Sequence, residues 1–463
     1  MSTSGLPVAV IGAGPVGMAG AAQLAARAMP FVVVEAGDTV AASIRQWAHV
    51  RLFTPWRLDT DPAARALLEA TGWAEPDPDD LPSGRELIDG YLAPLAAHPS
   101  IAPHIRYRTR VIAVARAGFD RVRTAGREHA PFVLRLSDGT ELLAGAVIDA
   151  SGTWRSPNPV GGNGLPAYGE TEARHSGRIF DGMPDVQGNL RAHFAGKTVA
   201  VVGAGHSAIG TLLSLADLAD ETADTAVQWV LRALDPSRAY GDGASDALPA
   251  RGSIGTAAKK LVEEGKIAVH TGFFVDRITD EGLVSSDGRT VKADVIVNAT
   301  GARPHHAIAD ELRLDIDPIL GSTRALAPLI DPNVHSCQTV PRHGVDELAH
   351  PEQGFYIIGA KSYGRARTFL LATGYEQARS VVAALDGDWE AARAIQVDLT
   401  AGASSSSDSV CGPASEAADV GCGAPASVAS EADGSKANSV CGPAAVSFVE
   451  IGSSPRDSRG GCN

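Results

Sequence analysis

Val8-Ala-Val-Ile-Gly12-Ala-Gly14-Pro15-Val-Gly17 opens the chain, and Phe31-Val-Val-Val-Glu35 follows after a small-residue stretch from Met18 to Ala28. An apolar run, a glycine-rich turn, a helical stretch and a second apolar run closed by an acid read as strand, turn, helix, strand. In that order Gly12 permits a tight turn, Gly14 lets the backbone approach a pyrophosphate, and Gly17 packs helix on strand. The helix N-terminus then faces the phosphates. Glu35, eighteen residues past Gly17, falls where a carboxylate accepts hydrogen bonds from a ribose 2'-hydroxyl. The stretch predicts a dinucleotide site.

With 463 residues, 44% hydrophobic and 20% charged, the chain is long enough for two or three domains with their own cores. No run of eighteen apolar residues occurs, and glycine and proline interrupt the N-terminal apolar segment, so neither a membrane span nor a signal peptide is expected. A cytoplasmic protein is the expectation. The net charge of -14 argues against a general nucleic-acid binder. Cys337 stands alone in the body, while Cys411, Cys422, Cys441 and Cys462 lie in the last 53 residues. No CxxC occurs, which excludes the usual zinc spacing and the vicinal redox dithiol, and no metal is expected.

Downstream of Glu35, the stretch Ser43 to Trp56 gathers Arg45, Trp47, His49, Arg51, Phe53 and Trp56 in a chain with only 5% aromatics. Such a loop is able to stack on a planar ring and to hold a pyrophosphate through Arg45. Helices over 62–71 and 83–98 read as cover elements. Residues 105 to 152 read as short strands, with a turn at Asp138-Gly139 and an end at Ala150-Ser151-Gly152. Arg116, Arg121, Arg123 and Arg127 are expected at a solvated hairpin tip. The arrangement recurs: Asp287-Gly288 precedes a strand ending in Ala299-Thr300-Gly301, and fourteen residues separate Asp from the final Gly in both copies.

The second copy has its own glycine turn, Thr198-Val-Ala-Val-Val-Gly203-Ala-Gly205-His206-Ser207-Ala208, followed by the strand Val227 to Arg232. Ala208 stands where a GxGxxA pattern allows it, and a cation closing the second strand suits a 2'-phosphate. FAD or NAD is therefore expected at the first site and NADPH at the second. The fold class expected is α/β, with two Rossmann-like dinucleotide-binding domains, the second inserted into the first. The boundaries read as 1–190 for the first part of the FAD domain, 191–301 for the NADPH domain, and 302–395 for the rest of the FAD domain. Phe355 to Gly359 supplies a buried strand and Thr368 to Leu385 a helix in this last part. Residues 396–463, a Ser/Ala/Gly/Cys tail in which Ser409-Val-Cys411-Gly-Pro-Ala recurs as Ser439-Val-Cys441-Gly-Pro-Ala, are expected to be disordered. Its thiols could capture a soft metalloid or relay electrons, or the segment could be a duplicated extension without function.

On these two fingerprints the sequence resembles the two-dinucleotide-binding-domain flavoproteins, which include flavin-containing monooxygenases and thioredoxin-reductase-like enzymes. The resemblance implies FAD at Gly12, Gly14, Pro15, Gly17 and Glu35, completed by Arg45, Trp47, Ser151, Gly152, Gly359 and Thr368. It implies NADPH at Gly203, Gly205, His206, Ser207, Ala208 and Arg232, with Thr300 and Gly301. The stretches from Trp47 to Trp56, Leu248 to Gly252 and Lys361 to Gln377 look like actinobacterial arsenic-operon flavin monooxygenases. Two departures from disulfide reductases favour a monooxygenase: Ala360-Lys361 replaces the Asp that follows the last strand's glycine, and the body lacks a redox cysteine pair. The FxGxxxHxxxY/F linker of flavin monooxygenases is not matched, since Gly169 and Thr171 stand in its Phe and Gly positions before His175.

The mechanism implied is hydride transfer from NADPH to FAD, oxygen activation as a flavin C4a-hydroperoxide, and oxygen transfer to a small soft nucleophile such as an arsenical or a thiol. A helix starting near Thr368 would aim its N–H groups at the reduced flavin, and Lys361, Arg365 and Arg367 are candidates for fixing substrate or NADPH. Partners expected are a small molecule and molecular oxygen, with no nucleic acid and no membrane; oligomeric state is not legible, and no catalytic side chain is named. Two other readings stand beside this one: an NADPH-dependent reductase or oxidase serving a disulfide, a protein partner or oxygen, and a non-enzymatic redox or metalloid sensor.

Overall fold

A computed structural model describes residues 5–246, 248–335, 340–366 and 369–395. The chain divides into two units, Met1–Ser405 and Ser406–Asn463, and every described residue lies in the first. Cys337, Arg367, Thr368 and the tail with its four cysteines therefore fall outside the described residues.

The strands in chain order are β1 (Val8–Ile11), β2 (Phe31–Val34), β3 (Ile105–Arg106), β4 (Val111–Arg116), β5 (Phe132–Leu136), β6 (Glu141–Ala144), β7 (Ala146–Asp149) and β8 (Ile179–Asp181). There follow β9 (Thr198–Val202), β10 (Ala226–Val230), β11 (Ile267–His270), β12 (Val275–Thr279), β13 (Gly282–Ser285), β14 (Thr290–Lys292), β15 (Val295–Asn298) and β16 (Phe355–Ile357). Two five-stranded sheets carry the architecture, ordered β16-β7-β1-β2-β3 and β11-β10-β9-β15-β8, and every pairing in them is parallel. Parallel sheets are covered on both faces, which explains why β1, β2 and β7 are buried along their whole length.

Alternation assigns the faces. Val8 and Val10 face one core with Met18, Leu24, Tyr91 and Val381, while Ala9 and Ile11 face another with Val34, Phe132, Leu134 and Phe355. The second sheet repeats the scheme: Val199 and Val201 pack with Leu212, Leu215 and Trp229, and Ala200 and Val202 with Phe273, Leu283 and Val291. Each fully buried Val or Leu in such a face contributes about 1.5–3 kcal/mol. The two small antiparallel sheets, β4-β5-β6 and β12-β13-β14, each precede a strand, β7 or β15, that pairs with the central strand of its sheet, β1 or β9. They are the repeated hairpins of the sequence, and the fold class is as expected.

Strand β8 pairs with β15, Ile179 against Ile296. An isolated antiparallel bridge between Pro157 and Ala302 sets the outgoing and returning chain side by side. Two expectations change. The helix after β16 runs Leu371–Leu385, with Phe369 and Leu370 outside it. Finally, Arg116 and Arg127 are each only 4% exposed. They do not reach solvent because both bind Glu352, Arg116 Nε at 2.8 Å and Arg127 Nη2 at 2.8 Å, and Arg116 also lies over the Phe132 ring. Arg121 and Arg123 do stand exposed.

Candidate functional site

The first glycine turn leaves β1 and enters the helix Pro15–Ala26, with Pro15 in its first turn and Gly14 as N-cap. Gly12 takes φ +100, and a Cβ there would stand 2.8 Å from the Ala150 carbonyl oxygen. A Cβ on Gly17 would meet the Gly12 carbonyl oxygen at 2.0 Å, so helix and strand touch backbone to backbone. Gly14 is different: a Cβ added there would meet nothing within 4 Å. No side chain caps this helix, so its first N–H groups and its dipole face the space beside Gly14.

That space is a cavity of about 370 Å³ whose lining includes Gly12, Gly14, Pro15, Glu35, Trp47, Ser151, Gly152 and Gly359. Glu35 closes β2; its Oε2 accepts from Ala13 N at 2.7 Å and its Oε1 from Gly37 N at 2.6 Å. It thereby holds the glycine turn while remaining on the cavity wall. Gly17 stays off the lining because it is spent on the helix–strand contact. Arg45 is exposed, donates to Thr39 Oγ1 at 2.8 Å, and takes no part in the wall.

Several wall residues were not singled out by sequence. Trp154 donates through Nε1 to Gln46 Oε1 at 2.8 Å, and its ring lies 6.4 Å from Trp47; Thr109, Arg155, His305 and Phe369 also line the cavity. Asp149 and Lys361 form a buried pair at 2.6 Å, with side chains 1% and 2% exposed. Lys361 is therefore no surface cation. Burial alone would raise the Asp149 carboxyl, yet Lys361 and two bonds from Ser151 outweigh it and hold the group below the usual carboxylate range. The available signal was the repeat: Asp149 precedes Ala-Ser-Gly as Asn298 precedes Ala-Thr-Gly. Arg365 stands exposed, its N–H donating to the Leu320 carbonyl at 2.8 Å.

The second turn repeats the first. Gly203 takes φ +140 with its missing Cβ 2.2 Å from the Ala299 carbonyl oxygen, Gly205 faces open space, and the helix His206–Glu221 starts directly after it. Ala208 is fully buried under the turn. Thr300 and Gly301 follow β15, the neighbour of β9, and Thr300 Oγ1 donates to Asn298 Oδ1 at 2.7 Å. His206 and Ser207 thus open the helix at this turn. Burial, reinforced by Arg251, depresses the His206 ring below its ordinary value. Arg251 is held by Asp246 through Nε at 2.8 Å and Nη2 at 2.7 Å. Arg232 lies two residues past β10, exposed, with Nη1 donating to the Gly162 carbonyl at 3.2 Å.

Open space at Gly14 and Gly205 and uncapped helix starts fit dinucleotides at both turns, and an acid follows β2 at the first. Residues 6–321 match the pyridine nucleotide-disulphide oxidoreductase family.

The chain belongs to the pyridine nucleotide-disulphide oxidoreductases.

Members of this family work with flavin and nicotinamide cofactors, and this chain is accordingly a flavoprotein oxidoreductase. Among solved structures, its fold is similar to that of a bacillithiol disulfide reductase from Bacillus cereus (TM-score 0.59, 19% identity, covering 82% of this chain and 99% of that one). It is also similar to a flavin-containing monooxygenase from Stenotrophomonas maltophilia (TM-score 0.52, 20% identity, 82% and 98%). An indole-3-pyruvate monooxygenase of Oryza sativa subsp. japonica is 30% identical over 210 residues, 44% of this chain and 44% of that protein. The match thus spans less than half the length of that curated relative. Among the described residues, no helix is long and apolar enough to cross a membrane.

Proposed function

We propose that this oxidoreductase is an FAD-dependent, NADPH-oxidising monooxygenase acting on a small soft nucleophile, an arsenical or a thiol. The observation that carries the reading is the make-up of the cavity wall, where the described residues that line it include no cysteine. A disulfide reductase needs a thiol beside its flavin; this wall offers aromatic rings, backbone and one buried ion pair instead. The match to a monooxygenase over 210 residues supports the same direction. A second reading, an NADPH-dependent reductase or oxidase, draws on the family's name and places the electron acceptor outside the described residues.

When bound, FAD supplies two-electron exchange with NADPH and the activation of oxygen. The chain's own residues do the rest. Gly12 and Gly14 let the backbone approach the pyrophosphate, Glu35 accepts from the adenosine ribose, and Trp47 with Trp154 covers the cavity and excludes water. At the second turn Gly205, His206 and Ser207 present the helix start to NADPH, and Arg232 supplies a cation for the 2'-phosphate. We assign residues up to about 158 and from 302 to 395 to the FAD-binding part, and 159–301 to the NADPH-binding part, on the Pro157–Ala302 bridge and the β8–β15 pairing.

The test is to purify the full-length chain and follow its visible absorbance under anaerobic NADPH and NADH. Oxygen consumption and peroxide release are then measured with and without trivalent arsenic or a thiol. A yellow protein that prefers NADPH and consumes oxygen without equivalent peroxide when substrate is present fits the monooxygenase. Peroxide equal to NADPH consumed under every condition would move the assignment to an oxidase.

A further inference from the structure

The sheet order β16-β7-β1-β2 lays out the cavity from end to end. Glu35 follows β2 on one side of the first glycine turn, and Ser151 and Gly359 follow β7 and β16 on the other, with Ile357 paired to Asp149. On the flavin reading above, a ribose at Glu35 and a pyrophosphate at Gly14 direct the ribityl chain of FAD past the ends of β7 and β16.

The buried ion pair stands at that place. Lys361 Nζ donates to Asp149 Oδ2 at 2.6 Å and to Ser151 Oγ at 3.2 Å. Asp149 Oδ1 accepts from Ser151 Oγ at 2.6 Å and Ser151 N at 3.1 Å. The Ser151 hydroxyl proton is therefore committed to Asp149 and cannot serve a ligand. An ammonium has three protons, and two have acceptors among the described residues. The third belongs to a cation 2% exposed on a residue of the cavity wall. A charged donor left without an acceptor in such a place is unfavourable, and a ligand oxygen would satisfy it.

We infer that Lys361 is a flavin-binding residue whose third N–H donates to a ribityl hydroxyl oxygen of FAD, while Asp149 and Ser151 hold the ammonium in position. The pair has a purely structural alternative, a strut between two strand ends, and the two differ in what each half of the cofactor would feel. ADP occupies the Glu35 and Gly14 half and carries no ribityl chain.

The test uses the full-length protein with Asp149→Asn and Lys361→Met combined, which removes both charges and leaves neither buried without a partner. A second neutral version, Asp149→Asn with Lys361→Gln, serves if the first does not fold. FAD affinity is measured by titration into flavin-stripped protein, ADP affinity by competition, and folding by thermal melting. The expected result is a loss of about ten-fold or more in FAD affinity, the worth of one charge-assisted hydrogen bond, with ADP affinity unchanged. Equal losses for FAD and ADP, or no loss for FAD, would overturn the inference and leave the flavin reading intact. A wild-type chain that takes up no FAD would overturn both.

Discussion

The ring of Phe53 stands edge-on to the ring of His206, with centroids 5.2 Å apart and planes at 64°. The aromatic stretch after the first glycine turn thus touches the first residue of the helix after the second turn. His206→Ala removes the contact and a donor beside Gly205 without touching the first cavity. The expected outcome is a KM for NADPH raised by about five- to ten-fold, in line with the loss of about one neutral hydrogen bond and one ring contact, with flavin content unchanged. Steady-state NADPH oxidation and absorbance per chain check it; a loss of flavin with an unmoved KM would reverse the assignment of the two turns.

Gly12 and Gly14 separate folding from binding. Gly12→Ala places a Cβ 2.8 Å from the Ala150 carbonyl at φ +100 and should lower the melting temperature of flavin-free protein, at a cost of about 1–3 kcal/mol or more. Gly14→Ala meets nothing within 4 Å and should leave flavin-free stability within about 1 kcal/mol of wild type. It nevertheless puts a methyl where the pyrophosphate approaches, so FAD retention should drop sharply. Melting curves with and without FAD distinguish the two.

Glu352 ties β4 to the segment before β16, because Arg116, Arg127 and the Arg313 N–H all donate to it. Burial would raise this carboxyl, but the bonds from Arg127 and Arg116 dominate together and hold it below its ordinary value. A depressed folded-state value means that the stabilisation is present above the unfolded value of 4.5 and is lost as pH falls through the folded one. Glu352→Gln should cost about 3–5 kcal/mol at neutral pH, since two buried guanidinium groups lose their counter-charge. The deficit should shrink as melting is repeated below pH 4.5.

Two buried groups set opposite pH limbs. Burial, aided by His306, holds the His350 ring down at about 4 against 6.5 unfolded. The unfolded chain therefore binds more protons between those values, and stability falls as pH drops from 6.5 toward 4. Burial pushes the Asp59 carboxyl up to about 8 from 3.8, against a bond from Thr54. Here the folded chain binds more protons, and stability falls as pH rises from 3.8 to 8. Asp59→Asn should gain stability over wild type progressively toward pH 8, and His350→Phe progressively toward pH 4. A melting series across pH 4 to 8 reads both.

Both glycine turns, both hairpins and the insertion of one sheet's chain into the other's were legible because each rests on local pattern. Val-rich runs bounded by Gly have few alternatives, and Gly12 and Gly203 occupy conformations that a side chain would strain. Arg116 and Arg127 were misplaced because charge in a sequence carries no partner. Arg116 and Arg127 look like any loop cation until Glu352, more than 220 residues later, is brought between them.

Sequence alone determined the α/β architecture, the two glycine turns and the family to which they belong, since short-range periodicity and backbone sterics act within a few residues. The tertiary structure decided which side chains share the cavity. Asp149 and Lys361 are 212 residues apart and meet only because β16 returns beside β7, and Phe53 meets His206 from a distant part of the chain. Such pairings depend on strand order, which is a property of the whole packed chain and of no single stretch within it.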